Sequence, residues 1–328
     1  KEIVAENPNQ TQGTLSGGEL VAAGLLLAIA NFVVVLDMTI ANVSVPNIAG
    51  GLAISPNEGT HVITSYAVAE AISVPLTGWI GMRFGNVKSF CIAIVLFGIF
   101  SMLCGLANSI ELLVAGRVLQ GLAGGPLMPL SQTLLMSTFP IEKRGVALAL
   151  WSMTTLVAPI LGPIFGGWIC DNWGWEFIFL INIPIAVACG FFTYRLLKKS
   201  ETKITKAKID YVGFALLVSW VAPLQYVLDK GKTLDWFSSP LIVVLSIIVV
   251  LMFLSFLIWE MNEKHPIVDL KAFRFRDFTA GTITISFAFG AFFATIVLTP
   301  LWLQTYMGYT ATWSGLVGAS TGVLAVVA

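Results

Sequence analysis

Charge is scarce in this sequence. Lys, Arg, Asp and Glu supply only 11% of 328 residues, and the 18 basic and 18 acidic side chains cancel. So few charges cannot clothe the surface of a soluble protein of this length. Their balance also excludes a nucleic-acid binder that works through bulk positive charge. Histidine is nearly missing, and His61 and His265 are too isolated to build a metal site. Cys91, Cys104, Cys170 and Cys189 show no CxxC spacing, and three of them fall in apolar runs. They read as small hydrophobes, not as a redox or disulfide framework. No nucleophile motif, histidine pair or phosphate-binding glycine loop appears, so neither a catalytic residue nor a cofactor is expected.

What fills the space is hydrocarbon. Hydrophobic residues reach 57%, and the mean hydropathy is +0.87. Roughly 20 apolar residues cross the hydrocarbon core as a helix. Ten such stretches are present: 20–45, 61–82, 89–107, 111–138, 145–169, 177–197, 211–228, 241–259, 278–303 and 313–328. The seventh is the weakest, interrupted by Pro223 and Gln225. None alternates every second residue as a barrel strand would. The expected fold class is an all-α integral membrane bundle with short connections. Residues 1–19 read as a polar cytoplasmic tail without the cationic start and short apolar core of a signal peptide. A chain that opens on Lys1 and closes inside the apolar run Val326-Val327-Ala328 is expected to be a piece of a longer one.

Basic residues sort by side. Fifteen of the Lys and Arg fall in one set of alternate loops, two in the other (Lys230 and Lys232), and Arg117 lies within a span. The bias places the N-terminus in the cytoplasm, because Lys and Arg accumulate in cytoplasmic loops.

Three ionisable residues sit inside spans, Asp37, Glu70 and Arg117, each costing a few kcal/mol unless it faces protein or water. Counting from the outer helix ends, all three lie about 9–14 Å deep. One depth on three helices points to one shared cavity. Tyr66, Glu70, Ser73 and Thr77 share a helix face, as do Arg117, Gln120, Gly121 and Gly124. A buried ion pair that only fixes packing is the plain alternative to a proton or substrate site. In the fifth span Ala158, Gly162 and Gly166 recur at i, i+4, i+8, leaving a groove for another helix. Pro159 and Pro163 should bend it, and Gly167 follows Gly166 in the same run. Gly124-Gly125-Pro126 and Pro129 likewise soften the fourth span, and helices broken in mid-membrane mark transporters.

Together these residues resemble the major facilitator superfamily, specifically its fourteen-helix drug:proton antiporters. Leu36-Asp37-Met38-Thr39-Ile40-Ala41-Asn42-Val43 with Pro46 is similar to the first-helix motif LDxTxxNVxxP. Arg117-Val118-Leu119-Gln120-Gly121 matches RxxQG of the fourth helix. Ala158-Pro159, Gly162-Pro163 and Gly166-Gly167 match the antiporter motif of the fifth. Trp173, Trp175, Phe177, Asn182 and Pro184 fit the opening of the sixth. The loop motif GxxxDRxGRR is kept only in part: Gly78, Arg83 and Gly85 remain, but Met82 replaces the acid and Asn86-Val87 the basic pair. The ion-pair latch of that loop therefore lacks its acid.

The resemblance implies a six-helix bundle over 20–197, a basic cytoplasmic linker over 198–209 and an extra helix pair over 210–260. A cytoplasmic loop (261–277) and the start of a second bundle (278–328) follow. It implies proton-driven export of hydrophobic or amphipathic drugs by alternating access across the bacterial inner membrane. Membrane lipid would surround the protein. Its partners would be a periplasmic membrane-fusion adaptor (EmrA-like) and a TolC-like outer-membrane channel. Asp37, inside a family motif, is the first choice for the exchanged proton, with Arg117 tuning it; Glu70 instead could attract cationic substrates. Export of one metabolite or siderophore on the same fold is the rival reading. A membrane enzyme or receptor lacks any supporting motif. Cysteines placed in 195–208 are expected to label from the cytoplasmic side, and labelling from the periplasm alone would overturn the orientation.

Overall fold

The computed structural model describes residues 17–309 apart from 203, 206 and 207, together with residues 15, 313 and 317. The expected tail therefore lies almost wholly outside the described residues, as does the tenth span apart from 313 and 317. Among the described residues the chain is helical throughout, without a strand. The helices are α1 Gly17–Gly51, α2 Pro56–Gly59, α3 His61–Ser73, α4 Thr77–Phe84, α5 Asn86–Gly105 and α6 Ile110–Gly124. After them come α7 Leu127–Thr138, α8 Ile141–Asn172, α9 Phe177–Leu180, α10 Asn182–Leu197, α11 Tyr211–Lys230, α12 Pro240–Asn262 and α13 Arg276–Met307. Six of the described segments are each long and apolar enough to cross a membrane.

Local chemistry explains where the helices differ from the expected spans. The second span is two helices, α3 and α4, joined by a tighter turn at Val74–Leu76 that contains Pro75. The fourth breaks at Gly124-Gly125-Pro126 into α6 and α7, as its glycines and proline foretold. α11 runs unbroken through Pro223, so the seventh span is firmer than its sequence implied. Its start is fixed by Asp210, whose side chain accepts the Gly213 amide at 2.8 Å. α8 likewise continues as one helix through Pro159 and Pro163.

The usual soluble pattern is inverted. Val244, Ile247, Val250, Leu251, Leu254 and Ile258 of α12 are exposed, whereas Asn31, Ser101, Gln120, Ser131 and Asn182 are buried. In lipid an apolar outer face costs nothing, and polar groups must turn inward to find partners. Asn31 of α1 shows how: its amide donates to Thr154 Oγ1 at 3.0 Å and Thr155 Oγ1 at 2.8 Å on α8.

Small residues set the spacing between helices. The groove of Ala158, Gly162 and Gly166 on α8 is filled by α1. A Cβ at Gly162 would stand 2.7 Å from Thr39 Cβ, and one at Gly166 would stand 3.2 Å from the Ile40 carbonyl oxygen. On α6 a Cβ at Gly121 would lie 2.5 Å from the Tyr66 carbonyl oxygen, so α3 presses directly on α6. Overpacking such contacts costs about 1–3 kcal/mol. Gly162→Ala is expected to lower the thermal midpoint of the detergent-solubilised protein, and Gly162→Leu to lower it further. An unchanged midpoint for Gly162→Leu would show that α1 and α8 do not meet there.

Candidate functional site

The centre of the bundle is built from charge. Arg117 projects from α6 and donates from Nη1 to Asp37 Oδ2 of α1 at 2.6 Å. Their exposures are 1% and 2%, so this pair has no access to water from either side. Gln120, one turn after Arg117, accepts from Arg117 Nη1 at 2.8 Å and donates to Asp37 Oδ1 at 3.2 Å. Asn182, at the start of α10, donates to the same Oδ1 at 2.7 Å and to Ser101 Oγ of α5 at 3.1 Å. Ser101 donates in turn to the Phe179 carbonyl at 2.8 Å. Arg117 Nε donates to the Val62 carbonyl at 3.2 Å. The guanidinium lies 4.1 Å from the centroid of the Tyr66 ring and 5.5 Å from that of Phe179. Both aromatic faces favour a cation there.

Asp37, Arg117 and Gln120, which the sequence singled out, meet in one hydrogen-bonded network. Glu70 stands apart. It is half-buried on α3 and makes no hydrogen bond or ion pair through its carboxylate among the described residues. The charges of Arg117 and Asp37 both act on it. The rest of its helix face divides in three. Tyr66 is buried beneath Arg117, and its hydroxyl has no partner among the described residues. Ser73 Oγ donates to the carbonyls of Glu70 at 3.1 Å and Gly121 at 3.3 Å, serving as helix glue. Thr77 donates to the Val74 carbonyl in the turn just before its helix, at 2.6 Å, while its side chain borders a cavity of about 600 Å³ shared with Gly78, Pro129, Leu130 and Thr133.

The fifth-span residues Ala158, Pro159, Gly162, Pro163, Gly166 and Gly167 are all buried. Their place is the α1 contact that carries Asp37. In the partial loop motif Gly78 and Arg83 are exposed, and Arg83 makes no ion pair among the described residues. Gly85 has φ +89°, a left-handed backbone conformation that favours glycine, between α4 and α5. The acid that the motif lacks at Met82 is supplied from elsewhere. Glu201, beyond α10, accepts the amides of Val87 and Lys88 at 2.9 Å each, while Thr202 Oγ1 accepts that of Asn86 at 3.1 Å. The Thr205 amide donates to the Met82 carbonyl at 2.9 Å.

Sequence reasoning placed Asn182 only in a motif and missed Ser101 and Glu201 at these contacts. Ser101 carried one signal, a hydroxyl in an otherwise apolar run. Glu201 carried none, since its partners are backbone amides more than a hundred residues away.

The described helices form an apolar bundle that locks an Asp–Arg pair between its first and fourth spans. The sequence profile described as Major Facilitator Superfamily matches residues 27–328, and the chain belongs to that family. It is 49% identical to the multidrug export protein EmrB of Escherichia coli K12, over 97% of this chain and 62% of that protein. To the fatty acid resistance protein FarB of Neisseria gonorrhoeae it is 50% identical, over 95% of this chain and 62% of that protein. The chain therefore spans about three-fifths of the length of these relatives. Among solved structures, a peptide transporter in complex with sulfate shares the fold, with a TM-score of 0.60 and 13% identity over 89% of this chain and 64% of that one.

Removing Arg117 would leave Asp37 buried without its cation, which costs about 3–5 kcal/mol. Arg117→Met is expected to destabilise the detergent-solubilised protein to that extent in thermal unfolding. The double variant Asp37→Asn/Arg117→Met should lose less than the sum of the two single changes. Simple additivity would mean that the two side chains do not interact.

Proposed function

We propose that this chain is the larger part of a proton-driven exporter of hydrophobic or amphipathic toxic compounds, working by alternating access in the bacterial inner membrane. The observation that carries this reading is the pairing of opposites at one level of the bundle. A closed Asp37–Arg117 pair stands beside Glu70, a carboxylate with no hydrogen-bond partner among the described residues. Both oxygens of Asp37 already accept donors, so a proton arriving there must displace one of them. Glu70 has no such donor to displace. In this reading Glu70 takes up and releases the proton, and the Asp37–Arg117 pair sets the field in which it does so. Gln120 and Asn182 hold Asp37 in place, and the α1–α8 contact through Gly162 and Gly166 keeps the carboxylate at its depth.

The names of the two relatives support a substrate class that is apolar and amphipathic: one exports many drugs, the other confers resistance to fatty acids. By the same resemblance residues 20–197 form the first six-helix half, 210–260 an inserted pair, and 278–328 the opening of the second half. The N-terminus lies in the cytoplasm, and an EmrA-like adaptor and a TolC-like duct would carry the substrate onward.

Proteoliposomes of the full-length protein, loaded with a fluorescent lipophilic dye and given a pH gradient, test the assignment. Glu70→Gln is expected to lose gradient-driven efflux while still exchanging dye between the two sides. If Glu70→Gln pumps with normal pH dependence and Asp37→Asn does not, Asp37 is the carrier and the assignment is reversed. If both pump normally, the proton site lies outside this bundle. Failure to move any lipophilic dye, with transport of one defined metabolite, would favour a dedicated exporter.

A further inference from the structure

Far from the Asp37 network, two more carboxylates converge where the chain enters α11 and leaves α12. Asp210 caps α11 through Oδ1, which accepts the Gly213 amide at 2.8 Å. The indole of Trp259 on α12 donates to both of its oxygens, at 3.1 Å and 2.9 Å. Every interaction of Asp210 thus uses it as an acceptor. Glu260, the next residue on α12, is 1% exposed. Its Oε2 accepts the Val268 amide at 3.2 Å and the Ile267 amide also acts on the carboxylate, but Oε1 is buried without a hydrogen-bond partner among the described residues. The two acids meet over Gly213, where an added Cβ would run into Asp210 Oδ2 and stand 2.5 Å from Glu260 Oε1. That approach requires glycine at 213.

Among the described residues neither acid forms an ion pair. The charges acting on Glu260 are negative, those of Asp210 and of Glu263 just after α12. Glu263 Oε1 is turned into its own loop, accepting the amides of Lys264 at 2.8 Å and His265 at 3.2 Å. Lys208 before α11, and Lys264, His265, Lys271 and Arg274 after α12, form no ion pair with either acid among the described residues. Among the described residues no group of three or more His, Cys, Asp and Glu side chains gathers here to hold a metal ion. Two carboxylates that share a site without a cation hold one proton between them.

We propose that Asp210 and Glu260 form a single-proton clip at the foot of the α11–α12 pair, with the proton on Glu260 Oε1 donated to Asp210 Oδ2. The choice of bearer follows from the bonding, because Asp210 is committed as an acceptor and Glu260 Oε1 gains a partner only by carrying a proton. While the proton is held, the clip ties the start of α11 to the end of α12 and to the Val268 loop. Loss of the proton sets two carboxylates against each other and loosens all three. Since α11 packs against α3, the helix that carries Glu70, the clip also bears on how the extra pair sits against the six-helix bundle.

The test uses the full-length protein in proteoliposomes and needs no transport measurement. Infrared difference spectra between acid and alkaline buffer should show a protonated carboxyl band that Glu260→Gln removes. Hydrogen exchange at the Gly213 and Val268 amides supplies the second readout. Relative to Glu260→Gln at the same pH, exchange in the unsubstituted protein should match on the acid side and be about tenfold faster on the alkaline side. Glu260→Gln keeps the shape and supplies a permanent donor, so it should hold the clip shut at every pH. An unchanged carboxyl band in Glu260→Gln, or an exchange ratio that stays flat with pH, overturns the proposal. So does an exchange rate that responds to added calcium or magnesium, or to chelator, at fixed pH, since the site would then hold a metal ion.

Discussion

A full positive charge buried in a protein that lies in lipid must be answered by the protein itself. Arg117 is answered by Asp37 at 2.6 Å, and from that one contact the arrangement of the first six spans can be followed. An ion pair in low dielectric is worth keeping only if its remaining donors and acceptors are also satisfied. Gln120 on α6, Asn182 on α10 and the Val62 carbonyl of α3 satisfy them. Four spans are thereby tied to one point, α1, α3, α6 and α10, and Ser101 on α5 joins them through Asn182. α8 then sets where α1 stands, through Gly162 and Gly166.

Much of this was legible in the sequence, for a physical reason. Charges in apolar runs are so costly that each announces itself, and helical arithmetic brought Gln120 to the side of Arg117 before any coordinates. Glycine and proline were read correctly where they act on the backbone directly, as at Gly124-Gly125-Pro126, where the fourth span breaks. At Pro223, where the sequence marked its weakest span, α11 continues as one helix, because one missing donor does not end it. Equal spacing from the outer helix ends grouped Asp37, Glu70 and Arg117 but did not say which would pair. In the fold Asp37 and Arg117 form the ion pair, and Glu70 makes none among the described residues. Pairing depends on helix rotation, which sequence spacing within a single helix does not specify.

The loop between α4 and α5 shows a different limit. Met82 stands where the family places an acid, and the sequence alone offers no substitute. In the fold Glu201 arrives from the segment after α10 and seats on the free amides at the start of α5, where the helix dipole favours a negative charge. Gly85 leaves room for it, since a Cβ there would stand 2.5 Å from the Glu201 carboxyl carbon. The negative charge at this turn has moved to another part of the chain, and with it the mechanical connection. The turn is now fastened to the segment that leads on toward the extra helix pair.

Three groups of carboxylates therefore divide this protein according to what answers them. Asp37 is answered by a cation and amide donors, Glu201 by a helix start, and Asp210 by an indole and a backbone amide. Each of these is pinned, and each pins a junction between spans. Glu70 and Glu260 Oε1 differ: among the described residues one is a half-buried carboxylate without a hydrogen bond and the other a buried oxygen without a partner. Asp37 is buried and Glu201 and Asp210 are half-buried, and all three spend their oxygens on donors. Glu70 lies on α3 and Glu260 at the end of α12, and α11 touches both helices. Any change of protonation that shifts α11 is thus felt at α3, which gives the inserted pair a physical route to the centre of the bundle.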